Sequence, residues 1–138
     1  MKIALAQFDP TVGDFAGNSA RILEFAADAK QRGADLAVFS ELCVCGYLPL
    51  DLLERPQFLD RARDAVCNLA QKTPIPILVG YPARIAEVNG KPVANAAALL
   101  ASGQIVFEQH KMLLPTYDVF DESRYFEPAK KQCVFEFG

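Results

Sequence analysis

A chain of 138 residues, 51% of them hydrophobic and 22% charged, can bury a core, fits at most one domain, and lies far from disordered or low-complexity compositions. A formal net charge of −3, with Lys and Arg scattered rather than clustered, excludes the electrostatic footprint of a nucleic-acid partner. No apolar run approaches the ~20 residues of a membrane span and too few apolar residues follow Met1-Lys2 for a secretory leader, so a cytoplasmic location is expected and a membrane role is not.

Ile3 to Phe8 reads as a strand covered on both faces, broken by Asp9-Pro10 and Gly13-Asp14. Asn18 is placed to cap a helix over Ser19 to Arg32, where Ile22, Phe25, Ala26 and Ala29 share a face and Gly33 ends it. Asp35 to Ser40 then forms a second strand, completing a β-α-β unit with parallel strands. After a loop with one helical turn at Leu50 to Leu53, Pro56 opens a helix to about Lys72, stopped by Thr73-Pro74. Ile75 to Tyr81 is a third strand of the same kind. Asn89-Gly90 and Ser102-Gly103 then signal turns around strands at Val93 to Ala101 and Gln104 to His110, so an α/β sheet continues as an antiparallel meander. Met112 to Lys131 has no periodicity but is dense in aromatic and charged residues, as functional loops are. Cys133 to Phe137 begins a further strand.

Two charged residues stand at strand ends, where α/β proteins collect catalytic groups: Glu41 after the second strand and Lys111 after the fifth. A carboxylate partly withdrawn from water suits a general base or acid near neutral pH, and a fixed ammonium suits a developing oxyanion. A purely structural ion pair between the two accounts for the same pattern. His110 alternates with Lys111 and faces the other way, as a packing or hydrogen-bonding residue. Tyr47, Tyr117 and Tyr125 read as pocket walls rather than acids. The cysteines (Cys43, Cys45, Cys67 and Cys133) lack paired C-x-x-C spacing and an activating neighbour, so free thiols are expected, with no metal site and no disulfide framework.

Gln7, the run Phe39-Ser40-Glu41-Leu42 followed by Gly46-Tyr47, and Lys111 together resemble the nitrilase, or carbon–nitrogen hydrolase, superfamily. The stretches Gly46 to Pro56 and Lys111 to Phe126 are similar, within it, to the N-terminal glutaminase domains of glutamine-dependent NAD⁺ synthetases. Leu48, Leu50 and Ala129 depart from the usual pattern of those stretches. The resemblance implies that residues 1–138 are part of a carbon–nitrogen hydrolase domain, about half of a four-layer α-β-β-α sandwich with mixed sheets. It implies a Glu-Lys-Cys triad in which Glu41 and Lys111 are catalytic and the nucleophilic Cys lies beyond Gly138, on the elbow after the next strand.

The resemblance carries functional expectations as well. Glutamine is the substrate, Tyr117 and Glu122 hold it or order the site, and Tyr47 lies near a tunnel entrance. Ammonia passes to a synthetase domain, where ATP and Mg²⁺ serve NAD⁺ synthesis from nicotinic acid adenine dinucleotide; no cofactor is expected in this chain itself. Alone, the chain is expected to be inactive and, with uncovered sheet edges, to associate, a homo-oligomer being the expected form. A stand-alone amidase or carbamoylase of the superfamily, and a non-catalytic fragment with a binding or oligomerising role, are the alternative readings.

Overall fold

The computed structural model describes residues 1–85 and 90–137. In chain order they form β1 (Ile3–Leu5), α1 (Phe15–Gln31), β2 (Leu36–Val38), a 3₁₀ turn (Leu50–Glu54), α2 (Pro56–Lys72), β3 (Ile77–Arg84), β4 (Val93–Ala101), β5 (Gln104–His110) and α3 (Glu122–Tyr125). The five strands make one sheet in sequence order. β1, β2 and β3 are parallel, and β3, β4 and β5 are antiparallel, so the α/β fold with a mixed sheet stands as expected.

The sharpest boundaries have local causes. Pro56 sits at the start of α2, where its missing amide costs nothing and its fixed φ favours the helix. Between β4 and β5, Ser102 and Gly103 both take positive φ, 52° and 80°, as a two-residue hairpin turn demands. The turn expected at Asn89-Gly90 falls partly outside the described residues, but the strands on either side pair from Ile77 opposite Leu100 to Arg84 opposite Val93.

Several expectations need correction. Asn18 does not cap α1: Asp14 does, accepting from the Gly17 amide at 2.9 Å, and the helix starts at Phe15. A carboxylate following Gly13 takes the cap, and Asn18, one turn in and 3% exposed, ties other elements together. Its side chain bonds both the amide and the carbonyl of Thr11 (2.9 and 2.8 Å) and the carbonyl of Val44 (3.3 Å). β1 is three residues long and is not covered on both faces, since Ile3 and Leu5 are 51% and 78% exposed. It is a sheet edge, and the helices cover only one face. α3 interrupts the loop expected over Met112 to Lys131. Cys133 to Phe137 forms no strand. Gln109 of β5 meets this segment with its side chain instead of a backbone ladder: Oε1 accepts from the Cys133 amide at 2.9 Å and Nε2 donates to the Lys131 carbonyl at 3.0 Å.

The two faces of the sheet differ. α2 covers the face bearing Val79, Tyr81 and Glu108; Arg63 donates to the Tyr81 hydroxyl at 2.9 Å, and that hydroxyl bonds Glu108. His110 Nε2 lies 3.0 Å from Glu108 Oε1, on this face as its alternation with Lys111 requires. Its hydrogen bond, opposed by burial and helped by Tyr81 and Arg63, holds the Glu108 carboxyl below the ordinary range. The opposite face carries an apolar cross-strand row, Leu5, Val38, Leu78, Leu99 and Phe107, running the width of the sheet. One sheet with helices on one side supplies two of the four layers that the resemblance implies.

Candidate active site

The site lies on the face opposite α2 and begins as a break in the β2–β3 ladder. The Phe39 amide donates to the Leu78 carbonyl (2.9 Å) and the Val44 amide to the Gly80 carbonyl (3.2 Å). In an unbroken parallel pair those two carbonyls would be met by amides two residues apart. Here residues 39 and 44 meet them, so Ser40 to Cys43 are thrown out of the strand line as a turn. Leu42 takes a φ of 50°, unusual for a branched residue, and is fully buried. Glu41 is carried on this turn and projects beside the end of β5.

Lys111 continues β5, its amide donating to the Asn95 carbonyl of β4 at 2.7 Å. Its ammonium lies 2.8 Å from Glu41 Oε1. It also donates to Glu122 Oε1 at 3.0 Å and stands 2.9 Å from Oε2, a contact of charge rather than of hydrogen-bond geometry, which leaves Oε2 without a hydrogen-bond donor. Burial pulls the Lys111 ammonium down, but the bonds and charges of Glu41 and Glu122 more than reverse this and hold it above the ordinary lysine value. It stays cationic at neutral pH, as an electrostatic group rather than a base.

Each expected site residue has a definite place. Glu41 is not enclosed by its apolar neighbours: its side chain is 42% exposed, because the turn lifts it out of the strand. It lines two hollows, one of about 430 Å³ over β3 to β5 with Leu78, Asn95, Gln109 and Lys111, the other of about 400 Å³ with Asp9, Ser40, Tyr47 and Phe120. Glu122 is 3% exposed and anchors the ammonium from behind. Tyr47 reaches the same cluster, its hydroxyl 3.5 Å from Glu122 Oε1. Burial, with the Glu122 and Glu41 charges added, pushes its phenol up to about 12, so it donates and does not ionise near neutrality. Tyr117 is not brought to the cluster: it is 69% exposed and packs edge-on against Phe120. Tyr125 bonds Asp51 at 2.7 Å, at a distance from the pair.

Asn95 escaped the sequence reading. It is 4% exposed, and its side-chain amide donates to Glu41 Oε1. The signal was present as the one polar residue within Val93–Ala101. Among the described residues no three His, Cys, Asp or Glu side chains converge as a metal site. Cys43 and Cys45 are fully buried, which pushes both thiols up to about 12. Cys67 and Cys133 are exposed. Alkylation of the native protein with peptide-resolved mass spectrometry should therefore label Cys67 and Cys133 quickly, and Cys43 and Cys45 only after unfolding. Fast labelling of Cys43 would contradict the packing of the Glu41 turn.

The profile of carbon–nitrogen hydrolases matches residues 2–137, nearly the whole chain. The chain belongs to the carbon–nitrogen hydrolase family. Among similar proteins, a glutamine-dependent NAD⁺ synthetase of Synechocystis sp. is 49% identical over 138 residues, an alignment covering 96% of this chain and 25% of that protein. The enzyme of the same description from Acinetobacter baylyi is 40% identical, with 99% and 25% covered. Of solved structures, the glutamine-dependent NAD⁺ synthetase of Acinetobacter baumannii matches with a TM-score of 0.89 and 38% identity over 98% of this chain and 25% of that one. An amidase from Nesterenkonia sp. matches with a TM-score of 0.81 and 25% identity over 99% and 51%. This carbon–nitrogen hydrolase chain thus spans about a quarter of the length of the synthetases it matches.

Proposed function

We propose that this chain contributes the acid–base and oxyanion groups of a glutamine amidohydrolase that supplies ammonia for NAD⁺ synthesis. The observation that carries the reading is the Lys111 ammonium held between Glu41 and Glu122 at 2.8 and 3.0 Å, with Glu41 opening onto solvent-accessible hollows. A purely structural ion pair has no need of such an opening. Similarity to synthetases of that description, at up to 49% identity among these relatives, favours this over a stand-alone amidase.

In the proposed reaction a Cys thiol from the remainder of the domain gives its proton to Glu41, and the thiolate attacks the side-chain amide carbon of glutamine. Lys111 faces the oxygen on which charge develops. The tetrahedral intermediate collapses with loss of ammonia, which takes the proton back from Glu41. Glu41 then removes a proton from water, which attacks the thioester and releases glutamate and the thiol. Glu122 orders Lys111, Tyr47 braces Glu122, and Tyr117 belongs to the outer wall where glutamine enters. ATP and Mg²⁺ act in the synthetase portion, where ammonia amidates activated nicotinic acid adenine dinucleotide. A cytosolic location and a homo-oligomeric state belong to the same reading; the exposed Ile3 and Leu5 offer apolar surface for covering by other parts of the protein.

The test compares NAD⁺ formation by the intact protein with glutamine or with ammonium salt as nitrogen source. Glu41→Gln should reduce the glutamine-driven reaction by about 10²–10⁴-fold, the usual worth of a positioned acid–base group, and leave the ammonium-driven reaction unchanged. Equal rates in variant and parent with glutamine would overturn the assignment. Hydrolysis of simple amides without any NAD⁺ synthesis would instead establish the amidase reading.

A further inference from the structure

Strand β4 holds one buried polar side chain, Asn95, beside the two charged groups of the proposed chemistry. The register sets Ala96 opposite His110, so Asn95 lies opposite Lys111 as the next pair of the β4–β5 ladder. One residue thereby touches both charged groups, its carbonyl accepting from the Lys111 amide at 2.7 Å and its side-chain amide donating to Glu41 Oε1. Lys111 Nζ donates to the same Oε1 at 2.8 Å. Oε1 therefore has two donors, while among the described residues Glu41 Oε2 accepts no hydrogen bond.

The terminal torsion of a glutamate is broad and roughly two-fold, so its own rotamer preference does not distinguish the two oxygens. A single ammonium does not fix the carboxylate plane either, because one point contact at Oε1 leaves the group free to turn about that contact. A short amide on a buried strand can fix it: Asn95 is 4% exposed and its backbone is held on both sides by the sheet. We propose that Asn95 is a positioning residue that locks the Glu41 carboxylate with Oε1 inward, so that Oε2 is the oxygen that takes the thiol proton and later the proton of water.

This inference rests on the amidohydrolase reading of the site, and the test separates the two. In the intact protein Asn95→Ala should lower kcat of the glutamine-driven reaction by about 10²-fold, the cost of a misplaced reacting group, with KM for glutamine within about three-fold of the parent. Asn95→Leu, which keeps the volume and removes the donor, should be equally impaired; recovery of activity with leucine would overturn the proposal, leaving Asn95 as a space-filling residue. Because Asn95 acts through Glu41, adding Asn95→Ala to Glu41→Gln should cost nothing further. Full additivity of the two losses would also overturn it. If Glu41→Gln itself retains glutamine-driven activity, the reading of the site fails. If Glu41→Gln is inactive while both Asn95 variants are normal, only the positioning role fails.

Discussion

Lys111→Met should destabilise the protein by about 3 kcal/mol as well as abolish glutamine-driven activity, because it strips the cation from a buried carboxylate. Glu122 is 3% exposed, and Lys111 is the only cationic side chain within ion-pair distance of it among the described residues. The Tyr47 hydroxyl, at 3.5 Å, is too distant to replace that charge. Breaking a buried pair from one side costs about 3–5 kcal/mol; the Lys111 side chain is 30% exposed, so the low end applies. The folded value of Lys111 lies above its ordinary one, so its pairing contributes fully below the ordinary value and is lost only as pH rises through the raised one. At pH 7 to 8 the whole effect is present. Adding Glu122→Gln to Lys111→Met removes the orphaned charge and should restore most of the stability, but not the activity, since in the proposed reaction no cation then faces the oxyanion. Thermal denaturation, with hydrogen exchange followed over residues 111–126, separates the two effects. A Lys111→Met protein as stable as the parent would show that water reaches Glu122 freely.

Much of this architecture was readable because its determinants are local. Pro56 and Thr73-Pro74 bracket α2, and Ser102-Gly103 can hardly be other than a hairpin turn. Glu41 and Lys111 were visible because each stands at the end of a recognisable strand, and Glu122 was visible through the resemblance of its loop. What sequence could not give depends on distant partners. Asn18 looks like a cap until Asp14 takes that place and the Thr11 and Val44 backbones turn out to need its side chain. Ile3 and Leu5 read as doubly covered because hydrophobicity shows that a face is apolar, not whether anything in these residues lies against it. Asn95 interrupts an apolar strand, but its partner Glu41 lies 54 residues earlier, on a turn whose outward excursion no periodicity encodes. Cys133 to Phe137 has strand-like composition, yet Gln109 meets it side chain to backbone.

Gly80→Ala is expected to damage the site from beneath. A Cβ on Gly80 would lie 2.4 Å from the Leu42 nitrogen and 3.0 Å from both the Cα and the carbonyl carbon of Glu41. These are backbone atoms, so no flexible side chain can swing away. The glycine is required by close approach, not by an unusual φ. The turn has little freedom to retreat, since the Val44 amide is bonded to the Gly80 carbonyl itself and Leu42 is already held at positive φ in a fully buried position. Overpacking of this kind costs about 1–3 kcal/mol. Lifting Glu41 by some fraction of an ångström to an ångström from Asn95 and Lys111 should lower glutamine-driven kcat by about 10²-fold. Gly103→Ala is the control: Gly103 also resists substitution, through its φ of 80°, but nothing lies within 4 Å of the added Cβ and the turn is remote from the carboxylate. It should cost about 1 kcal/mol of stability and leave kcat unchanged. Steady-state rates with glutamine and with ammonium, beside melting curves for both variants, decide the matter. If Gly80→Ala proves fully active, the turn that carries Glu41 is compliant, and the rigid seating of the carboxylate over β3 does not govern the chemistry.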